Sequence, residues 1–160
     1  MQIDRSETAL RSCGADIREG GARAYFSPSA DYVQMPPFAA FKGTGAYLAT
    51  LAHELTHWTG HKARLDRDQG GGFGSKSYAF EELVAEMGSA FVCARLGVAG
   101  EHIDSHAAYL ASWLKCLRED KRAIFKAAAL AQTAADQVLA NAGLDQGAGE
   151  EAEEDERAAA

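Results

Sequence analysis

Apolar residues return every three or four positions through most of the chain after residue 44. Leu48, Leu51, Ala52 and Leu55 stand at i, i+3, i+4 and i+7, a stripe that predicts a helix with that face in the core. Thr44 is its expected N-cap, and Gly60 its expected end in the left-handed conformation. Phe80, Val84, Met87 and Phe91 repeat the spacing between a cap at Ser77 and a stop at Gly97. A third helix follows from Asp104 or Ser105, with Leu110, Trp113, Leu114 and Leu117 buried. A fourth runs from Asp120 to Gly143, with Ile124, Ala128, Ala131, Ala135 and Val138 facing inward. Residues 4–13 suit a short opening helix capped by Asp4 or Ser6.

Between Ala15 and Met35 the pattern changes to short aromatic and β-branched segments split by Glu19-Gly20-Gly21 and Pro28-Ser29-Ala30-Asp31, which predicts a small antiparallel sheet. Pro36 and Pro37 cannot donate to a ladder, so the Tyr32 to Met35 strand is expected to end there and to lie at an edge. An edge strand offers free N–H and C=O groups to an extended peptide. The fold class is therefore α+β: a small sheet near the N-terminus and about four helices, with the Thr44 to Gly60 helix at the centre.

Composition narrows this picture. A chain of 160 residues with 47% hydrophobic content fits one domain with its own core. Three cysteines, Cys13, Cys93 and Cys116, are odd in number and lack C-x-x-C spacing, as expected of a reduced, cytoplasmic protein. Neither a signal peptide nor an apolar run of about 20 residues is visible, so no membrane partner is expected. The net charge of −7 gathers at the end: residues 145–160 carry seven acids and one base. That leaves residues 1–144 as the folded domain and residues 145–160 as a disordered acidic tail. The near-neutral remainder has no broad basic face, and direct nucleic-acid binding is not expected.

Chemistry enters at His53-Glu54-Leu55-Thr56-His57. Residues i and i+4 share a helix face, so both imidazoles can reach one metal ion, and Glu54, roughly 100° round the axis, can hold a water beside it. This is the H-E-x-x-H arrangement of zinc peptidases, with the glutamate as general base. His61 follows Gly60, but the position three residues after that glycine is Ala63, so His61 is only a weak third-ligand candidate. Residues 62–76 form a polar, Gly-rich loop in which Arg64 or Arg67 can meet a carboxylate. Glu82 and Glu86 are one turn apart on the next helix. One of them can complete the ligand set and the other can accept an N–H from a ligating histidine; Glu82 is favoured as ligand and Glu86 is the alternative. His102 and His106 are also i, i+4 but lack an accompanying glutamate and are expected to be surface or capping residues.

HELTHWTGHKARLDRD followed by FGSKSYAFEELVAEMGSAF resembles the zincin-like metallopeptidase domain of ArdC-type antirestriction proteins of plasmids and other mobile elements. The likeness extends from about Gly14 to Leu144 and includes ADYVQMPPFAAF and YLASWLKCLREDKRAIFKAAALAQTAAD. It implies a zincin fold and one Zn2+ held by His53, His57 and Glu82, with Glu54 as catalytic base and Glu86 orienting a ligand; Glu81 should point elsewhere. The implied activity is peptide-bond hydrolysis in counter-defence, on a protein or peptide substrate that includes host defence proteins among the candidates. Oxyanion stabilisation falls to His61 or Tyr78. The alternative is a zinc-stabilised module that blocks a defence protein by contact. Full-length proteins of this type add an N-terminal single-stranded-DNA-binding domain that this chain has no room for, so DNA binding is not carried over.

Overall fold

The computed structural model describes residues 2–72, 75–98 and 107–145. Five helices and three strands follow in order: α1 (Gln2–Arg11), β1 (Asp16–Glu19), β2 (Tyr25–Ser27), β3 (Tyr32–Met35), a 3-10 turn (Phe38–Ala40), α2 (Thr44–Thr59), α3 (Lys76–Leu96), α4 (Ala107–Glu119) and α5 (Ala123–Asn141). His102, His106, the caps proposed at Asp104 and Ser105, and the tail beyond Asp145 lie outside the described residues. No described helix is long and apolar enough to cross a membrane.

The sheet is mixed rather than antiparallel, and its order is β1-β3-β2. β3 runs parallel to β1, with Asp16 opposite Tyr32 and Glu19 opposite Met35, and antiparallel to β2, with Phe26 opposite Val33. After β1 the chain reverses at Gly20 and Gly21, both at positive φ, and sets β2 down with room for one strand between them. The turn through Asp31, whose N–H donates to the Ser27 carbonyl at 2.8 Å, then returns β3 into the gap. The Tyr32 to Met35 strand is thus central, not an edge. Val33 and Met35 are fully buried, whereas β1 and β2 carry mostly exposed or half-buried residues. Pro36 and Pro37 end β3 without marking an edge, because the missing N–H groups come after its last rung.

The apolar stripe of α2 is the middle of the core. Leu48, Leu51, Ala52 and Leu55 pack with Tyr47 and Trp58, with Leu10 and Cys13 from the first segment, and with Val33 and Met35 from β3. Val92 of α3 and Ala135, Val138 and Leu139 of α5 close the cluster from the other side. On α5 the buried face is Ala123, Ala127, Ala131, Ala134, Ala135 and Val138, while Ile124 is 43% exposed. The expected face was displaced toward Ile124 because alanines on both sides of the helix leave its apolar phase weakly marked. Leu114 of α4 is likewise 46% exposed.

Helix ends also depart from expectation. Gly43 occupies the N-cap of α2, so Thr44 is its first helical residue. Ser75, not Ser77, caps α3, its Oγ accepting from the Tyr78 N–H at 3.2 Å. Gly97 ends α3 in the left-handed conformation. Gly60 does not: its φ of −79° and ψ of −5° are right-handed helical.

α2 and α3 approach closely at one point. A Cβ on Gly88 would stand 2.6 Å from both Cγ2 and Oγ1 of Thr56, well inside contact distance. Nearby, the Ser89 hydroxyl donates to the Ala49 carbonyl at 2.8 Å and links the two helices. Gly88→Ala sets about 1 kcal/mol of helix propensity against overpacking that typically costs about 1–3 kcal/mol. We expect overpacking to win, lowering the urea midpoint at unchanged slope; a higher midpoint would show that the helices have room to spare.

Candidate metal centre

On α2, residues 53, 54 and 57 emerge beside the core stripe and face α3. Glu82 places one carboxylate between the two imidazoles: its Oε2 lies 3.3 Å from His53 Nε2 and its Oε1 lies 3.0 Å from His57 Nε2. The ring centroids are 4.9 Å apart at 76°. Among the described residues, His53, His57 and Glu82 form the group whose ligand atoms all lie within 4.8 Å of one another. Two imidazole nitrogens and a carboxylate oxygen are a donor set suited to a borderline divalent cation, and three protein donors leave a coordination position for water.

The outer nitrogens of both rings are taken by other carboxylates. Glu86 Oε1 lies 2.7 Å from His53 Nδ1, on the side of the ring away from Glu82. Glu81 Oε1 lies 3.2 Å from His57 Nδ1. Glu81 was expected to point away, so this is a correction. Successive helical residues diverge by roughly 100°, and that divergence lets Glu81 and Glu82 flank the same imidazole. With Nδ1 donating to a carboxylate, each ring turns Nε2 toward Glu82, and Nε2 is the atom each would offer a metal ion on losing its proton.

Glu81 is itself held. Arg67 Nε donates to Glu81 Oε2 at 3.0 Å and Arg67 Nη2 to Oε1 at 2.9 Å, while Gln69 Nε2 adds a third donor at 3.0 Å. Both charged side chains are nearly solvent-free, at 5% and 7% exposure. Arg64 instead pairs with Asp31 through both terminal nitrogens and lies 4.0 Å over the Trp58 ring. The polar loop therefore meets the end of α2 through Arg64 and Arg67, while its Gln69 and Gly71 border the cleft. His61 stays outside the cluster: its Nδ1 accepts from the Ala63 N–H at 3.0 Å, and its ring meets the edge of Phe26.

Glu54 opens on a cleft of about 530 Å³ bordered by Arg23, Tyr25, Phe26, Thr50 and Tyr78 as well as the imidazoles and carboxylates. It is buried, and that burial raises its pKa against the opposing pull of His53 and His57; the Phe26 backbone also hydrogen-bonds to it. Burial opposes charge on the imidazoles too, but the hydrogen bonds that His53 donates to Glu82 and Glu86 carry it well above its usual value. Glu81 and Glu82 likewise overcome burial and raise His57 to about 9. On the other side of these pairs, burial of Glu82 is outweighed by both imidazoles, which hold it well below the usual carboxylate range.

A zincin-like metallopeptidase family model matches residues 4–130. The chain belongs to the zincin-like metallopeptidase family. This zincin is 53% identical to protein y4eC of Sinorhizobium fredii (strain NBRC 101917 / NGR234) over 135 residues, covering 84% of the present chain and 44% of y4eC. It is 47% identical over 139 residues to the DNA primase TraC of Escherichia coli, of which it covers 13%. Crystal structures of the antirestriction protein ArdC from plasmid R388 superpose with a TM-score of 0.79 in the Mn(II)-bound form, at 51% identity, and 0.76 in the metal-free form, at 50%. The Mn(II)-bound alignment covers 87% of this zincin and 52% of ArdC. The zincin thus spans about half the length of ArdC, and the resemblance to ArdC-type proteins read from the motifs is shown.

With chelator present, the His57 ring should titrate at about 9, observable by nitrogen NMR of the imidazole. Because its folded pKa lies above the ordinary 6.5, the stabilisation it brings is complete below about pH 6.5 and is lost as pH rises through about 9. Glu81→Gln should move the midpoint down. A His57 midpoint near 6.5 in the unaltered protein would contradict the pairing.

Proposed function

We propose that this chain is a zinc-dependent metallopeptidase in which His53, His57 and Glu82 hold one divalent ion and Glu54 is the general base. The carrying observation is that the carboxylate of Glu54 opens on the same cleft as a convergent His, His, Glu donor set. Glu86 and Glu81 on the outer ring nitrogens support the fit, because ligating histidines commonly donate their second N–H to a carboxylate. The Mn(II)-bound form of R388 ArdC supports a divalent ion as the cofactor. When bound, the ion lowers the pKa of its water to about 7 and polarises a carbonyl.

The chain's own groups do the remaining work. Glu54, whose pKa burial raises, takes a proton from water and returns it to the leaving amine. The peptide lies along β2 rather than β3. β2 is the edge strand that faces the cleft, which Tyr25 and Phe26 border; the other edge, β1, supplies no cleft residue. Tyr78 also borders the cleft and is the candidate for stabilising the oxyanion; His61, outside it, is not. The similarity to the antirestriction protein ArdC supports a role in counter-defence, with a host protein as the substrate class we propose. The chain works in the cytoplasm and requires no nucleic-acid contact of its own.

Glu54→Gln should lower cleavage by about 10²–10⁴-fold, the usual worth of a general base, while zinc stoichiometry is retained. Glu82→Ala should lose zinc. Comparing proteomes of cells expressing the unaltered chain and Glu54→Gln would reveal substrates as newly cut proteins. A Glu54→Gln chain that still protects against restriction would favour a contact inhibitor over a peptidase.

A further inference from the structure

Arg67 makes contacts that an ordinary ion pair does not need. Its Nη2 donates to the Thr56 carbonyl at 2.6 Å as well as to Glu81, and its Nη1 donates to Thr59 Oγ1 at 2.9 Å. Gln69 Nε2 donates to the His57 carbonyl at 2.6 Å while also donating to Glu81. Arg64 Nε takes the Trp58 carbonyl at 2.6 Å, and the Leu65 N–H takes the Thr59 carbonyl at 2.9 Å. The four carbonyls that end α2 are thus each met by a donor from residues 64–69, and two of those donors hold Glu81 at the same time.

Gly60 shows that this arrangement is built into the chain. A Cβ there would stand 2.6 Å from Gln69 Nε2, 2.7 Å from Arg67 Nη2 and 2.9 Å from Arg67 Cζ. Its backbone is one that any residue can adopt, so the glycine serves the space that the two side chains occupy. Charge gives the same reading. Glu54, Glu81, Glu82 and Glu86 line one cleft, and a divalent cation alone leaves part of that negative charge uncompensated.

We propose that Arg67, assisted by Gln69, is a positioning residue for the metal centre: it locks Glu81 against His57 Nδ1 and ties that contact to the C-terminus of α2. The inference rests on the metal reading given above. Arg67 touches neither imidazole, so its effect passes through Glu81. A planar guanidinium suits the task because it serves the carboxylate with two nitrogens while the same fork reaches the carbonyl of Thr56; a lysine ammonium has no such fork.

The test measures zinc affinity by competition with a chromophoric chelator in folded variants, with circular dichroism as the check on structure. Arg67→Lys and Arg67→Met should each bind zinc about 10–100-fold more weakly, the usual loss when a partner of a ligating histidine is removed. Glu81→Met should do the same, and Arg67→Met/Glu81→Met should be no weaker than Glu81→Met alone. That double variant also removes the buried unpaired carboxylate, which protects the test if Arg67→Met does not fold. Arg64→Met, which disturbs the end of α2 and the Asp31 pair without touching Glu81, should lower the melting temperature but leave affinity unchanged. Full affinity in both Arg67 variants, additive losses in the double variant, or an equal affinity loss in Arg64→Met would each overturn the proposal. Chelated protein gives a readout free of the metal: the His57 Nδ1–H should be a slowly exchanging, hydrogen-bonded proton in the unaltered chain and exchange faster in Arg67→Lys. Failure of the unaltered chain to bind zinc would refute the metal reading, whereas an unchanged His57 signal in Arg67→Lys would refute the clamp.

Discussion

Hydrogen bonds between two imidazoles on α2 and three carboxylates on α3 are the interactions around which the rest of the molecule is arranged. They are short only because the helices touch: Gly88 has no side chain where Thr56 presses against α3, and Ser89 is bonded to the α2 backbone. Each buried carboxylate would be costly alone and each buried imidazole would lose its charge alone. Paired, they hold one another in the ionised forms, as the opposed displacements of His57 and Glu82 show. A divalent cation between the same donors would take over the role that the protons play in its absence.

The segment after α2 shows how a loop without regular structure can be part of the site's framework. Its arginines and glutamine meet the carbonyls at the end of α2, where the regular i to i+4 ladder of the helix runs out. Two of these side chains, Arg67 and Gln69, also fix Glu81 of α3. The loop therefore fastens the two helices at the end nearest His57, while Gly88 and Ser89 fasten them farther along α3.

The sheet supplies the cleft's other wall. β3, buried between its neighbours, anchors the layer to α2, and β2 is left as an edge whose residues border the cleft. The Phe26 backbone meets Glu54, so the strand that borders the substrate space also touches the proposed base. A polypeptide laid along β2 would pass the acid-base group and the donor set together, and the cleft residues Tyr25 and Tyr78 would lie beside it.

Much of this was legible in the residues themselves. The i, i+3, i+4 stripe marked α2 and its buried face, and the spacing of His53, Glu54 and His57 announced their chemistry, because helical period is a local property. The one-turn spacing of Glu82 and Glu86 likewise brought both into view. What the sequence left open depended on partners distant along the chain. Strand order is such a case: local turns show that β2 and β3 exist, but not that β3 enters between β1 and β2, so the edge was assigned to the wrong strand. Glu81 seemed to point away because its direction was judged from one helix, whereas its partners are His57, Arg67 and Gln69, each at least 12 residues away in sequence. Gly60 looked like a conformational stop, yet its requirement is the space taken by Arg67 and Gln69. The sequence alone brought His53, Glu54, His57, Glu82 and Glu86 forward as the candidate groups. Tertiary structure alone decided which carboxylate meets which nitrogen, because that depends on the separation and rotation of two helices, and no local period encodes either.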